Sequence, residues 1–204
     1  GIVASRLTET YYRPTIVLTE SDGKVTGSAR SVKNFDLYEA IYECRDLLIQ
    51  FGGHKYAAGL TMQPENVTAF AERFDEVVCS RITDEQLVPE LEIDAELQPE
   101  DITQRFYTII QEMAPFGPGN MKPVFISRAV RDTGWSKIVK EEHIKFSIRK
   151  KDGSAIDGIG FRMAGKFNLL KSGPVDIVYQ IDENEWQGNV NLQLLVKDIR
   201  AAEV

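Results

Sequence analysis

Two short stretches of the sequence carry residue types that can grip a phosphate. In Phe51-Gly52-Gly53-His54-Lys55-Tyr56-Ala57-Ala58-Gly59, a double glycine followed by a histidine lets backbone N–H groups and an imidazole approach an anion closely. A histidine so placed can donate a hydrogen bond to a phosphoryl oxygen as charge builds on it. Gly52-Gly53 is expected to end a helix, and the competing reading is a plain helix stop with a polar side chain packed beneath it. In Thr26-Gly27-Ser28-Ala29-Arg30-Ser31, alternation along a strand puts Ser28 and Arg30 on one face. The guanidinium supplies a bidentate fork and the hydroxyl a rotatable donor, which suits a terminal phosphate, and Lys33 adds charge. An ordinary solvated strand edge has the same composition.

A third stretch, His143–Lys150, alternates Ile144, Phe146 and Ile148 with Lys145, Ser147 and Arg149, so one face fills a core while the other is basic. Trp135, flanked by Lys137 and Lys140, has the make-up of a base-stacking platform with phosphate contacts beside it. Trp186 is weaker, because Asp182, Glu183 and Glu185 repel phosphates, and it reads as a cover for the barrel end. A metal centre is not expected. His54 and His143 fall in different predicted domains, there is no Asp-His-His triplet, and Glu92, Asp94 and Glu96 read as a solvated acidic connector.

The elements that must hold these residues follow from periodicity. Over residues 1–80 helix and strand signals alternate: a helix at Ile2–Leu7, strands at Pro14–Thr19 and Val25–Ser31, and a helix capped by Asp36 with Glu39 behind it. A third strand at Ala57–Met62 and a helix opened by Pro64 follow. The capped helix carries an apolar stripe of Leu37, Ala40, Ile41, Cys44, Leu47 and Leu48, and runs to the double glycine. Beyond a helix with Ile102, Phe106, Ile109, Ile110 and Met113 at helical spacing, the chain is nearly all strand. Five strand signals from Val124 to Ile199, with a short helix at Met163–Leu170 between the third and fourth, give the order of an OB-fold barrel. The expected fold is therefore an α/β lobe with a mixed sheet and flanking helices, followed by an all-β OB barrel. Its domains are 1–80, a connector with a helix at 81–121, and 122–204.

Charge supports that division. The net charge of −7 is unusual for a nucleic-acid binder, but residues 81–121 carry 2 Lys+Arg against 9 Asp+Glu, whereas residues 122–204 carry 14 against 11. Cys44 and Cys79 both fall on apolar helix faces and are expected as buried free thiols in a reducing compartment. No apolar run spans a membrane, and residues 1–7 lack signal-peptide features, so a cytoplasmic protein is expected. The absence of an initiating Met is consistent with a piece of a longer chain.

Gly27–Ser31 together with Gly52–Gly59 resembles the DHHA1 domain of the DHH phosphoesterase superfamily. Residues 1–7, Ala114-Pro115-Phe116-Gly117-Pro118-Gly119-Asn120 and Leu192–Arg200 extend the likeness to the bacterial RecJ single-stranded-DNA exonucleases, through essentially the whole chain. The GGH segment is shared with oligoribonuclease and cyclic-dinucleotide relatives, and its combination with a barrel is what narrows the family. The resemblance implies hydrolysis of single-stranded DNA from the 5′ end, with Mn²⁺ or Mg²⁺ held in a DHH domain outside this chain. It implies that Ser28 and Arg30 hold the 5′-phosphate and that His54 supports the scissile phosphate. Gly52, Gly53, Lys33, Lys145, Arg149 and Trp135 complete the expected substrate contacts. The fragment alone is expected to be inactive, metal-free and monomeric, with single-stranded DNA as its partner and a single-strand-binding protein as a candidate second one. Two other functions stay open: a non-catalytic single-strand-binding module, and a phosphoesterase for short oligonucleotides or cyclic dinucleotides.

Overall fold

The computed structural model describes residues 1–117 and 119–202, with Trp186 described by its backbone alone, so the reading of its ring lies outside the described residues. The chain divides into two compact units, Gly1–Glu90 and Leu91–Val204. The stretch 81–121 is thereby shared between them.

In the first unit α1 (Ile2–Tyr11) leads into β1 (Thr15–Ser21) and β2 (Lys24–Arg30). Asp22 and Gly23, both at positive φ, make the tight turn between these strands. Asp36 caps α2 (Leu37–Tyr42), its carboxylate accepting from the Glu39 N–H at 3.1 Å. The capped helix is shorter than expected. After Tyr42 the chain makes a 3₁₀ turn at Arg45–Leu47 and enters β3 (Leu48–His54), so the double glycine lies in a strand and not at a helix end. The physical reason is pairing: β3 joins β4 (Ala57–Met62) in a two-residue hairpin, which satisfies backbone groups that a longer helix would have bonded internally. Pro64 opens a 3₁₀ turn into α3 (Val67–Arg81).

The four strands are ordered β1-β2-β4-β3, and every pairing is antiparallel, so the sheet is not mixed. Hairpins alone connect β1 to β2 and β3 to β4, and neither leaves room for a parallel crossover. One face packs Ala29, Ala58, Leu60 and Met62 against Leu37, Ile41 and Phe70 of the helices. Cys44 lies in that core, where burial raises the pKa of its thiol, but Cys79 is exposed. The thiol of Cys79 falls beside the buried stripe of α3 because Val78 takes the inward position.

The second unit begins with β5 (Ala95–Glu96) and α4 (Gln104–Glu112). It continues with β6 (Phe125–Val130), β7 (Lys137–Val139), β8 (His143–Arg149) and β9 (Ala155–Gly160), and ends with α5 (Phe167–Ser172), β10 (Val175–Trp186) and β11 (Asn189–Ala201). Their order is β5-β6-β10-β11-β9-β8-β7, with β9 and β11 parallel. Near the end of β6 the chain bends at Ala129, whose φ is 50°, and past the strand it bridges to β8 through Asp132 and Ile148. Thr133 N–H donates to Ser147 O and Arg149 N–H to Arg131 O across the same seam. These bonds complete the circuit β6-β8-β9-β11-β10-β6, the strand order of an OB barrel.

Its core contains Phe146, Ile144, Ile148, Ile177 and Leu194, with Tyr107 and Ile110 of α4 packed on it. Helix α4 is thus part of this unit, and Ile109 and Met113 of the expected stripe are about half exposed. The acidic run is exposed, as expected, but it is tied to the second unit. Asp94 accepts from Val124 N–H at 2.8 Å and Glu96 pairs with Arg128 at 3.0 Å, pinning β5 beside β6. At the barrel's centre Tyr179 is fully buried, its hydroxyl 2.7 Å from Ser127 Oγ. Burial pushes its pKa from 10.0 up to about 12. The folded state therefore holds this proton more tightly than the unfolded chain. Its contribution to stability is complete below pH 10 and is lost as pH rises through about 12. An ultraviolet pH titration should show this phenol ionising after the exposed tyrosines, with unfolding promoted over that window.

Candidate nucleic-acid interface

Strand register decides which side chains of the first unit share a face. Ser28 stands opposite Gly59, and Gly59 opposite Gly52. In the next row of that face Arg30 stands opposite Ala57, and Ala57 opposite His54. Directly paired residues point to the same side of a sheet, so Ser28, Arg30 and His54 lie on one face with only Gly59 and Ala57 between them. Two strand spacings separate Arg30 from His54, about 10 Å. The result is a shallow trough, floored by a glycine and an alanine and walled by a guanidinium and an imidazole.

Each wall is held in place. Tyr56 O accepts from Ser31 N–H at 3.1 Å and Lys55 O from Leu37 N–H at 3.0 Å, which ties the β3–β4 hairpin to the end of β2 and the start of α2. His54 Nδ1 accepts from Tyr56 N–H at 3.3 Å, leaving Nε2 as the outward donor of this exposed ring. Arg30 is half buried, donates one hydrogen bond to Ala29 O, and has no carboxylate partner among the described residues. A Cβ on Gly1 would stand 3.1 Å from Arg30 Nη2, so α1 begins beside this guanidinium and brings its N-terminal N–H groups to the same corner.

The double glycine works differently from a helix stop. Gly53, at φ +147°, lets the hairpin close on itself: an added Cβ would lie 2.3 Å from Ala57 O. Gly52 has open space above it on the trough face. Lys33 is directed elsewhere and pairs with Glu90 at 3.5 Å.

In the second unit the burial of β8 alternates as expected, with Lys145 and Arg149 outward. Lys145 is partly neutralised, because strand pairing brings Asp157 within 3.3 Å of its ammonium. Arg149 has, among the described residues, only a 3.5 Å contact with Thr133 O. Trp135 is 83% exposed on a bend fixed beneath it. Asp132 accepts from Gly134 N–H and from the buried Ser136 hydroxyl, and Ser136 Oγ accepts from Ser147 N–H at 2.8 Å. A rigid bend presenting a bare indole has the geometry of a base-stacking platform. Trp135→Ala should weaken single-strand binding by about 1–3 kcal/mol. Tryptophan emission that stays constant through a DNA titration would count against it.

Beside β8, a trough of about 590 Å³ is lined by Lys145, Asp157, Asn184, Asn191 and Gln193 over an apolar floor of Ile156 and Leu192. Sequence reading passed over these amides. Asn184 and Asn191 are cross-strand partners in a hairpin whose register is invisible in the chain order. Among the described residues no three His, Cys, Asp or Glu side chains converge as a metal ion would require. Nor, among the described residues, is any helix long and apolar enough to cross a membrane.

An antiparallel α/β lobe with Ser28, Arg30 and His54 on one sheet face, followed by an OB barrel, defines the class of the chain. Residues 1–79 match the DHHA1 domain and residues 93–198 the RecJ OB domain. The chain belongs to the RecJ family. The single-stranded-DNA-specific exonuclease RecJ of Bacillus subtilis is 36% identical over 207 residues, covering 100% of this chain and 26% of that protein. The Escherichia coli exonuclease RecJ is 29% identical over 210 residues, covering 98% and 35%. The crystal structure of Thermus thermophilus RecJ with Mn²⁺ superposes over 100% of this chain and 29% of its own, with a TM-score of 0.78 at 28% identity. A second structure of that protein holds Mg²⁺. The chain thus spans roughly a quarter to a third of the relatives it matches.

Proposed function

We propose that this chain is the substrate-gripping portion of a single-stranded-DNA-specific 5′→3′ exonuclease. Residues 1–80 hold the 5′ end and residues 122–204 hold the strand. The observation that carries this reading is the shared face of Ser28, Arg30 and His54. A terminal phosphate bearing two negative charges seats on the Arg30 fork and the Ser28 hydroxyl, with the start of α1 adding N–H donors. The next phosphodiester lies toward His54, whose Nε2–H meets charge developing on it. In the OB unit Trp135 stacks a base, Arg149 and Lys145 track phosphates, and the amides of the 590 Å³ trough meet base edges.

Hydrolysis by Mn²⁺ or Mg²⁺ belongs to parts of the protein outside these residues. Within that reading the chain is monomeric, cytoplasmic and inactive by itself. A single-strand-binding protein is its candidate protein partner. A phosphoesterase of very short oligonucleotides would leave the trough and Trp135 without a task.

The test is binding of the whole chain to oligonucleotides that differ only in their 5′ end. Tighter binding of the 5′-phosphorylated strand than of its 5′-hydroxyl twin is expected. Equal affinity would favour a non-catalytic single-strand binder.

A further inference from the structure

Next to the 590 Å³ trough on the OB unit, a cleft of about 240 Å³ opens where the bend at the end of β6 meets the end of β8. Arg128, Arg131, Arg149, Lys150 and Lys151 all line it, with Glu100 as the one acidic side chain of its wall among the described residues. The charges are unevenly matched. Arg128 is committed to Glu96 and to the buried Asp176. Lys151 faces Glu100, whose Oε1 accepts from the Lys151 N–H at 2.5 Å and whose Oε2 lies 3.9 Å from its ammonium without a hydrogen bond. Arg131, Arg149 and Lys150 make no ion pair among the described residues; Arg149 and Lys150 donate to backbone carbonyls, and Lys150 lies in the field of Glu100 and Asp152 without closing on either.

Three such cations in one concavity repel one another and focus a positive potential that an anion relieves. The volume is several times the ~30 Å³ of a water molecule and below the ~300 Å³ of a pocket that encloses a whole small ligand. It suits a backbone phosphate with part of its sugar. Lys150 also lines the 590 Å³ trough, so this lysine borders both concavities. Two neighbouring concavities that share a cation favour a polymer with phosphates at intervals over a compact ligand.

Resting on the single-strand reading above, we propose that this cleft is a second phosphate subsite, which takes the DNA backbone as it leaves the trough around the end of the barrel. Arg131, Arg149 and Lys150 neutralise phosphates there. Glu100 is the resident anion that limits the affinity. Its carboxyl is held below the usual range, chiefly by the Lys151 N–H, so it stays charged at neutral pH.

The test is the salt dependence of binding of an oligothymidylate of about 16 nucleotides, a length within the range one OB fold covers. Each phosphate neutralised on a single strand contributes about 0.7 to the slope of log affinity against log salt. The double variant Arg131→Gln/Lys150→Gln should lower that slope by about 1–1.5 and weaken binding several-fold at low salt. Glu100→Gln should tighten binding. Lys197→Gln, an exposed lysine of β11 outside the cleft, should leave the slope unchanged. Thermal melts of each variant would confirm that the barrel stays folded.

A wild-type slope retained in the double variant, or an equal fall with Lys197→Gln, overturns the subsite while leaving the proposed function standing. Failure of the wild-type chain to bind the oligonucleotide sinks the proposed function itself. If an acidic peptide binds the wild type and is lost in the double variant while the oligonucleotide slope is unchanged, the cleft belongs to a protein partner and the DNA assignment is wrong.

Discussion

Replacing Arg30 with alanine should reduce the affinity of the chain for a 5′-phosphorylated oligonucleotide by about 10- to 100-fold, while affinity for the 5′-hydroxyl strand barely moves. The magnitude is that of one charge-assisted hydrogen-bond pair, about 1.5–3 kcal/mol. It sits toward the upper end because Arg30 is half buried and has no carboxylate to share, so an incoming phosphate meets an uncommitted guanidinium. Arg30→Lys keeps the charge but loses the planar fork and should recover only part of the preference. Ser28→Ala removes one neutral donor and should cost less, about 0.5–1.5 kcal/mol. Fluorescence anisotropy with the paired oligonucleotides measures all three. An Arg30→Ala loss of equal size on both strands would make this arginine a general backbone contact, not a reader of the 5′ end.

The largest expected loss of stability falls on the double glycine, and the two positions should behave oppositely. Gly53→Ala places a methyl 2.3 Å from Ala57 O and 2.5 Å from Ala58 Cα, both backbone atoms that cannot swing aside, at a φ of +147°. Backbone strain and overpacking together cost about 2–4 kcal/mol. Gly52→Ala meets nothing within 4 Å and should change stability by no more than about 0.5 kcal/mol. Denaturant unfolding of the two variants side by side is decisive: equal destabilisation would mean that the β3–β4 register is not as described.

These two positions also mark how far chain order can be read. Leu37, Ala40, Ile41, Cys44, Leu47 and Leu48 satisfy helical spacing, yet a six-residue helix, a 3₁₀ turn and a strand accommodate the same residues. Apolar spacing over a dozen residues does not separate these outcomes, because the deciding energy is backbone pairing with β4, which lies further along the chain. Ser28 and Arg30 were legible because they sit within a single strand, where period two leaves no alternative. Arg131 was not. The positive φ at Ala129 resets the alternation, so parity counted from Phe125 no longer says which way the arginine points.

Taken alone, the order of residues settles local periods, caps and turns: the Asp22-Gly23 hairpin, the Asp36 cap, the basic outward row of β8 and the five-strand order of the barrel. These depend on neighbours a few residues apart, whose geometry is covalent or nearly so. Tertiary structure alone decides that Arg30 and His54 face each other across Ala57, that Asp157 quiets Lys145, and that the cations lining the cleft share it. Each of those facts is a register between strands. Register is set by hydrogen bonding and burial summed over whole sheets, and no local stretch of sequence contains that sum.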